Sequence, residues 1–399
     1  MLRTGSQKKR EALVVDDDAP RAAPVVPGSV SARILRDVWA GEDVVVDSPP
    51  GAGKTYLIVN SVAHLVARSN VMVHILCPTK AQAAAILHRL VRVMDRKLVV
   101  NGVASIPKAD LPIGLGKSGR VCVRTLASAA YTPPTGGLVI VDEAYQAKYV
   151  DVNAATVAAD QVWLVGDPGQ IGPVVTVGTG PWESMRTPPH RPAPAVVSKF
   201  DGIQCHSLPS TYRLGRLSAE IIAPLYRFEF DSVRGDAHIE LDGEVLPEVS
   251  KVNLRDDAAE HERIQVCVSR AESLLRSRTE SGEHASVAVV LSRNTQVSIA
   301  MAMLAGRGVT VGTADRLQGG EWDAVVALDP LMGGAYSQHT ASPGRLCVML
   351  SRHSRHLTWV QDQTWREGTE GFGSSRREHI AVRSRIQNRA DQADGAHSL

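Results

Sequence analysis

The chain has 399 residues, of which 44% are hydrophobic and 22% are charged, the composition of a folded protein. Because this length exceeds one ordinary hydrophobic core, we expect two domains. The net charge of +2 is nearly neutral and gives no basis for long-range attraction to nucleic acid, which would need a local basic surface. No apolar run approaches the ~20 residues of a membrane span, and the N-terminus lacks the apolar core of a secretory signal. We therefore expect a cytoplasmic protein.

Short apolar strands alternate with helical segments from Val44 onward. The predicted strands of this first series are residues 44–46, 71–77, 121–123, 138–141 and 162–165, with helices after Gly53 and from about Lys80. Continuous apolar strands separated by helices indicate a parallel sheet that is covered on both faces. The apolar stripe of the first helix, which should pack on the sheet, consists of Ile58, Val62, Leu65 and Val66.

A second α/β series follows a proline-rich stretch at residues 187–196, which indicates a linker or a surface insertion. Its predicted strands are residues 204–208, 287–292, 308–311, 323–328 and 357–360, with helical patterns near 294–305 and 342–352. The resulting division is a disordered leader (1–30), a first domain (31–203), a second domain (204–365) and a polar, arginine-rich tail (366–399). The tail is either a solvated helix or a nucleic-acid contact, and we favour the solvated helix because charge runs usually face water.

The segment DSPPGAGKT, residues 47–55, has the composition of a phosphate-binding loop. Such a loop needs glycines for close backbone approach, a lysine for the β and γ phosphates, and a hydroxyl for Mg²⁺. Only the first glycine of the usual pattern is replaced, by Ser48. The segment predicts a nucleotide site, with cofactor contacts from Pro50, Gly51, Ala52, Gly53, Lys54 and Thr55.

An acidic pair follows the apolar strand LVIV at residues 138–141. A strand of this kind can deliver Asp142 to the coordination shell of Mg²⁺, together with Thr55. Glu143 is then the candidate base that orients and deprotonates an attacking water. The loop and the acidic pair together therefore predict a nucleoside triphosphatase that uses Mg²⁺.

The order of the motifs resembles that of superfamily-1 helicases and translocases, from about Val44 to Arg355. The resemblance implies two RecA-like P-loop NTPase domains, parallel sheets flanked by helices, with ATP in the cleft between them. In the first domain, LCPTKAQA and VRTLAS resemble segments that contact a nucleic-acid strand, which assigns that role to Pro78, Thr79 and Thr125. GDPGQIGPV resembles the motif whose Gln170 senses the γ-phosphate.

The second domain carries the remaining matches. LPSTYR resembles a segment in which Tyr212 stacks on the base and Arg213 points at the phosphates. VGTADRLQGGEWD implies that Thr313 contacts nucleic acid and Glu321 lies near the ribose. RLCVMLSRHSR implies that Arg352 is the arginine finger. The resemblance thus implies an ATP-dependent motor, a helicase or translocase, that moves along single-stranded DNA or RNA.

Other readings stay open for single residues and for the whole chain. Tyr212 could be a packed aromatic residue, and each threonine could be an ordinary helix cap. An upstream glutamine that reads adenine is absent, and the wording of GDPGQIGPV is closer to RecD-like and RNA-decay helicases than to the UvrD-like branch, which suggests 5′ to 3′ movement. A nucleotide-dependent binding switch without translocation is the alternative function, and a P-loop kinase is a remote one.

Overall fold

Two β-sheets organise the chain in the computed structural model, which describes residues 22–103, 106–334, 337, 340–369, 372–389 and 391–392. These residues divide into two units. The first unit contains the described residues up to Asp47, with Gly53–Gly166 and Pro173–His206. The second contains Ser48–Ala52, Asp167–Gly172 and the described residues from Ser207 onward. Most of the predicted leader lies outside the described residues, but Ala23 hydrogen-bonds to the side chains of Asn60 and His64.

The first unit is built on a seven-stranded sheet. Its strands are β1 (Val44–Asp47), β2 (Val73–Cys77), β3 (Val99–Asn101), β4 (Val121–Thr125), β5 (Leu138–Val141), β6 (Gln161–Gly166) and β7 (Gln204–Ser207). The spatial order is β3-β4-β2-β5-β6-β1-β7, and β1 to β6 pair in parallel. The crossover between β1 and β2 places the end of β1 and the end of β5 at the same edge of the sheet, where ligands of such folds bind.

Six α-helices belong to the first unit: α1 (Val30–Ala40), α2 (Lys54–Arg68), α3 (Lys80–Leu90), α4 (Leu126–Tyr131), α5 (Tyr149–Thr156) and α6 (Ala193–Val197). Local sequence explains where several of them begin. Ser29 caps α1 by accepting a hydrogen bond from the backbone of Ala32, and Thr79 forms a capping box with Gln82 at the start of α3. The predicted stripe of α2 is fully buried, so this helix packs as the periodicity indicated.

The second unit contains β8 (Ser210–Thr211), β9 (Asp231–Ser232), β10 (Ile239–Leu241), β11 (Glu244–Val245), β12 (Val249–Asn253), β13 (Arg278–Thr279), β14 (Val287–Leu291), β15 (Thr310–Thr313), β16 (Trp322–Leu328), β17 (His353–Gln361) and β18 (Asp391–Gln392). Its main sheet is parallel, in the order β15-β14-β16-β17-β12-β18. The pairs β10-β11 and β10-β13 form a small antiparallel sheet, and β8 pairs with β9.

The α-helices of the second unit are α7 (Arg216–Ile222), α8 (Glu260–Leu274), α9 (Asn294–Met303), α10 (Ala314–Leu317), α11 (Pro343–Leu350), α12 (Trp365–Gly368) and α13 (Arg376–Arg389). Short 3₁₀ segments occur in both units, at Arg96–Leu98, Lys108–Asp110, Ala144–Gln146, Gly180–Trp182, Ala223–Leu225, Met332–Gly334 and Gly373–Ser375. One apolar cluster of this unit joins Val290, Val325 and Trp359 of the sheet to Leu346 of α11 and Ile386 of α13.

Three interpretations of the sequence need correction. The strand at 204–208 does not open the second series, because β7 is the edge neighbour of β1 in the first sheet. The proline-rich stretch is not only a linker, since it enters α6, where Ala193 and Val196 are buried. The tail is not a fully solvated helix, because α13 buries His379, Val382, Arg383 and Ile386.

Candidate active site

The lysine and threonine of the phosphate loop lie at the first turn of α2, directly after β1 and its loop. Gly53 precedes this helix with a φ of +80°, a left-handed conformation that glycine adopts without strain. The free N–H groups and the positive end of the dipole of a helix N-terminus favour bound anions. Lys54 and Thr55 thus occupy the part of α2 where a phosphate group is best stabilised.

The acidic pair follows β5, the neighbour of β2 and β6 in the first sheet. Asp142 is 4% exposed, and one of its carboxylate oxygens accepts a hydrogen bond of 2.9 Å from the backbone N–H of Glu143. The Nζ atom of Lys54 lies 3.7 Å from Oε1 of Glu143. The structure therefore brings Lys54 close to an acidic pair, Asp142 and Glu143, that begins 88 positions later in the chain.

Burial governs the electrostatics of this cluster. Burial and, to a lesser extent, the negative charge of Glu143 raise the pKa of Asp142 to about 7, although Lys54 opposes both effects. Glu143 also has a φ of +53°, one of two positive values among the described residues other than glycine. Such a conformation costs on the order of 1–3 kcal/mol and is typically found at functional sites. The backbone at Glu143 therefore indicates that the direction of this carboxylate matters.

The donor set fits a magnesium nucleotide. Oε2 of Glu143 is buried and has no hydrogen-bond partner among the residues that the structure describes, so it has the capacity to accept a hydrogen bond from a ligand or water. The carboxylate of Asp142 is destabilised by burial, and a divalent cation beside it would offset that cost. Asp142 and the hydroxyl of Thr55 would hold Mg²⁺, and Lys54 with the first turn of α2 would hold phosphate.

Tyr145 also lies at this site, although no sequence motif assigned it there. Its hydroxyl donates a hydrogen bond of 2.8 Å to Oδ1 of Asp47, the last residue of β1. Its position two residues after Glu143 was the available signal. The contact ties the segment after β5 to the residue from which the phosphate loop starts.

The first part of the phosphate loop, Ser48–Ala52, belongs to the second unit and contacts the segment 211–213. The hydroxyl of Thr211 donates a hydrogen bond of 2.6 Å to the carbonyl of Pro50, and the backbone N–H of Tyr212 donates one of 3.0 Å to the carbonyl of Gly51. A Cβ atom at Gly51 would lie 2.3 Å from Cβ of Arg213. This close approach requires glycine and places Arg213 beside the loop, while the side chain of Tyr212 is two-thirds exposed.

Arg213 and Arg352 have different surroundings within the second unit. Nε of Arg213 forms an ion pair of 2.5 Å with Oε2 of Glu321, so two residues assigned to the nucleotide site lie together. Arg352 is 1% exposed and donates a hydrogen bond of 3.0 Å to the hydroxyl of Ser351. Arg355 pairs with Glu280 and Asp323, which gives it a structural contact.

Gln170 is held by residues on both sides of its side-chain amide. Its Nε2 donates a hydrogen bond of 3.2 Å to Oδ2 of Asp167, and its Oε1 accepts one of 3.1 Å from Gln318. Gly344 at the start of α11 packs against its backbone, because a Cβ atom there would lie 2.5 Å from the carbonyl oxygen of Gln170. The amide of Gln170 therefore has a defined orientation.

All three threonines assigned to nucleic acid are helix caps. Their hydroxyls accept hydrogen bonds from backbone N–H groups three residues ahead: Thr79 from Gln82, Thr125 from Ser128, and Thr313 from Arg316. Thr79 is exposed, Thr125 is half-buried and Thr313 is 8% exposed. Pro78 is half-buried and directly follows β2. Cys77, the last residue of β2, is in register with Thr125, so Pro78, Thr79 and Thr125 share one edge of the first sheet.

Comparisons with known proteins place the fold. A family model described as an AAA domain matches residues 32–191, and no curated protein matches the chain. The crystal structure of an arterivirus helicase, nonstructural protein 10, has a TM-score of 0.52 and 19% identity over 83% of this chain and 62% of that one. The same helicase in complex with DNA gives 0.51 and 18% over 83% and 63%. This chain thus spans less than two thirds of the length of these proteins.

The class that the fold defines is an α/β P-loop protein with RecA-like domains. The predicted fold class is thereby confirmed. No helix among those described is both long and apolar enough to cross a bilayer. Within the described ranges, no group of three or more histidine, cysteine or acidic side chains is placed to bind a metal.

Proposed function

We propose that the protein is an ATP-dependent motor, a helicase or translocase, that moves along single-stranded nucleic acid. One observation carries the hydrolytic part of this proposal: the cluster in which Lys54 contacts Glu143 and a buried Asp142 stands next to it. This is the set of groups that phosphoryl transfer to water needs, namely a lysine for the phosphates, a carboxylate for Mg²⁺ and a base.

The residues of the first unit have separate tasks in hydrolysis. Mg²⁺, when bound with ATP, neutralises charge that develops on the phosphate oxygens. Lys54 would exchange its contact with Glu143 for the phosphates, which leaves Glu143 free to accept a proton. We assign the orientation of the water to the buried Oε2 of Glu143, because burial strengthens the hydrogen bond that this atom would accept.

The arginines and Gln170 complete the proposed nucleotide site. Arg213 already lies against Gly51 of the phosphate loop, which supports a contact with the phosphates once Glu321 turns to the ribose. We assign Arg352 to the developing charge and Gln170 to the γ-phosphate, and the exposed ring of Tyr212 to the base. An arginine in this role is worth about 10³ to 10⁵ in rate.

Nucleic acid is the partner that we propose for the motor. The solved helicase in complex with DNA has the same fold, which supports this choice. Pro78, Thr79 and Thr125 would contact the strand from one edge of the first sheet, and Thr313 would contact it from the end of β15. Backbone-directed contacts of this kind position a strand without reading its sequence. Movement from 5′ to 3′ is part of the proposal.

Turnover measured with and without DNA and RNA homopolymers tests the proposal. We expect single strands to stimulate ATP hydrolysis, Lys54→Ala to lower the rate at least ~100-fold, and Glu143→Gln to lower it by about 10² to 10⁴. Lys97→Ala, which changes an exposed lysine in the same unit, is the control and should retain the wild-type rate. Wild-type turnover in Lys54→Ala would refute the site, and hydrolysis that no strand stimulates would favour a binding switch over a motor.

A further inference from the structure

Tyr226 is a buried tyrosine whose hydroxyl group points at the motif that contains Gln170. It follows the 3₁₀ segment Ala223–Leu225 and is 9% exposed. Its hydroxyl donates a hydrogen bond of 2.9 Å to Oδ1 of Asp167. The rings of Phe228 and Phe230 pack edge-on against its ring, at centroid distances of 5.5 and 5.1 Å. Packing therefore keeps the ring buried at this position, and the hydrogen bond to Asp167 sets the direction of the hydroxyl.

Asp167 transmits this contact to Gln170. The carboxylate is completely buried, and its Oδ1 accepts a second hydrogen bond of 2.9 Å from the backbone N–H of Gly169. Its Oδ2 accepts the hydrogen bond from Nε2 of Gln170. A buried carboxylate needs several donors, and the removal of one of them changes the orientation in which the others are best satisfied.

Gly169 shows how closely Tyr226 approaches the motif. A Cβ atom at this position would lie 2.2 Å from the hydroxyl oxygen of Tyr226. The three atoms nearest to such a Cβ all belong to Tyr226, so any other residue at 169 would displace the tyrosine hydroxyl. The contact thus depends on a glycine in the motif and on a tyrosine that packs against two phenylalanines.

We propose that Tyr226 is a positioning residue for Gln170, acting through Asp167. The hydroxyl fixes the carboxylate, the carboxylate fixes the amide nitrogen of Gln170, and Gln318 holds the amide oxygen. This inference rests on the proposed function, in which Gln170 contacts the γ-phosphate. A residue that only filled the core would act through its ring and would leave the orientation of Gln170 unchanged.

The test is the variant Tyr226→Phe, which keeps the ring and removes the hydroxyl. We expect strand-stimulated kcat to fall about tenfold with KM for ATP within twofold, since a hydrogen bond to a charged group is worth about that factor. In a Gln170→Ala background the same change should cause no further loss. Phe228→Leu is the matched control, because it weakens the packing of the ring and keeps the hydroxyl, and its kcat should stay within twofold.

Three outcomes separate the possibilities. Normal kcat in Tyr226→Phe would overturn the inference, and so would a loss that adds to the loss caused by Gln170→Ala. The proposed function would still stand if single strands stimulate wild-type turnover and Lys54→Ala is inactive. If Tyr226→Phe does not fold, Gly169→Ala provides the second test, since it displaces an intact tyrosine hydroxyl and should reproduce the tenfold loss. A wild-type kcat in Gly169→Ala would then count against Tyr226.

Discussion

His353 and His356 lie close to Arg352 in the chain, yet both have structural environments. Both side chains are completely buried. His353 shares a hydrogen bond of 2.7 Å with the hydroxyl of Ser218, and His356 contacts the carbonyl of Pro247 at 2.6 Å and the hydroxyl of Thr358 at 2.8 Å. These contacts tie β17 to its neighbours, so the histidines support the strand that follows the arginine.

His356 should make the second unit sensitive to acid. Burial, with a smaller contribution from the charge of Arg270, lowers the pKa of His356 from its ordinary value near 6.5 to about 4, although the hydrogen bond with Pro247 opposes this shift. The unfolded chain therefore binds a proton between pH 6.5 and 4 that the folded chain does not. Stability is fully present above pH 6.5 and declines as the pH falls through this window, by roughly 3 kcal/mol at 1.36 kcal/mol per pKa unit.

Urea unfolding at a series of pH values measures this effect. His356→Gln should reduce the decline in the free energy of unfolding between pH 6.5 and 4, although His353 and His379, whose pKa values burial also lowers, keep part of it. His261→Gln, at an exposed position of α8, is the control and should follow the wild-type curve. An unchanged decline in His356→Gln would contradict the assignment.

Side chains at the ends of strands were predictable from the sequence, and those that act over long distances were not. Lys54, Asp142 and Glu143 follow apolar strands, and parallel strands bring their ends to one edge, so their proximity follows from the pattern. The contact of Tyr226 with Asp167 spans 59 residues and depends on a turn that no local pattern specifies. The ion pair of Arg213 and Glu321 is likewise a product of tertiary packing.

At the scale of single elements, α13 shows how a charged helix enters a core. Arg383 and Asp329 form a bidentate ion pair at 2.7 and 2.8 Å, with both side chains completely buried. A third contact joins Arg383 to Nδ1 of His379 at 2.9 Å. The arginine-rich sequence of α13 predicted a helix that faces water, but one of these arginines, Arg383, anchors the helix to the end of β16.

Removal of Arg383 should destabilise the second unit strongly. Arg383→Met leaves the buried carboxylate of Asp329 without its partner, and a broken buried pair costs about 3–5 kcal/mol. Urea denaturation measures the loss in the free energy of unfolding. Arg377→Met, at an exposed position of the same helix, should change it by less than about 0.5 kcal/mol. Equal effects of the two variants would show that the buried pair does not hold the helix.

Elements with strong apolar patterns were predicted, whereas β12 and α8 were missed within the segment 227–280. The sequence of β12, VSKVN, has Ser250 and Lys251 at buried positions, so it lacks the apolar run that marks a central strand. Nζ of Lys251 donates a hydrogen bond of 2.6 Å to the carbonyl of Gln387 at the end of α13. The buried polar groups of β12 are tolerated because they are hydrogen-bonded, and their partners come from distant parts of the chain.

At the scale of the whole molecule, charge and aromatic content limit how a strand could bind. The net charge is only +2, and aromatic residues make up 4% of the chain. Among the described residues, exposed rings include Tyr56, Tyr131 and Tyr212. Few stacking platforms leave phosphate contacts as the main source of affinity, and such contacts do not distinguish bases.

Binding to single strands should therefore depend on salt much more than on sequence. We expect the logarithm of the affinity to fall linearly with that of the salt concentration, with a slope of about −0.7 for each phosphate contact. Fluorescence anisotropy with labelled dT and dA homopolymers between roughly 50 and 200 mM salt measures both effects. A larger difference between the two homopolymers than between the two salt concentrations would contradict this expectation.

The left-handed backbone at Glu143 constrains how this site can evolve. The turn places a residue with a side chain in this conformation, which lowers the stability of the fold but directs the carboxylate. Under the proposed function, glycine would relieve the strain but remove the catalytic base, and a β-branched residue would increase the strain without replacing the carboxylate. Substitutions that stabilise the protein at this position would then lower its activity, and selection for turnover would be needed to retain glutamate there.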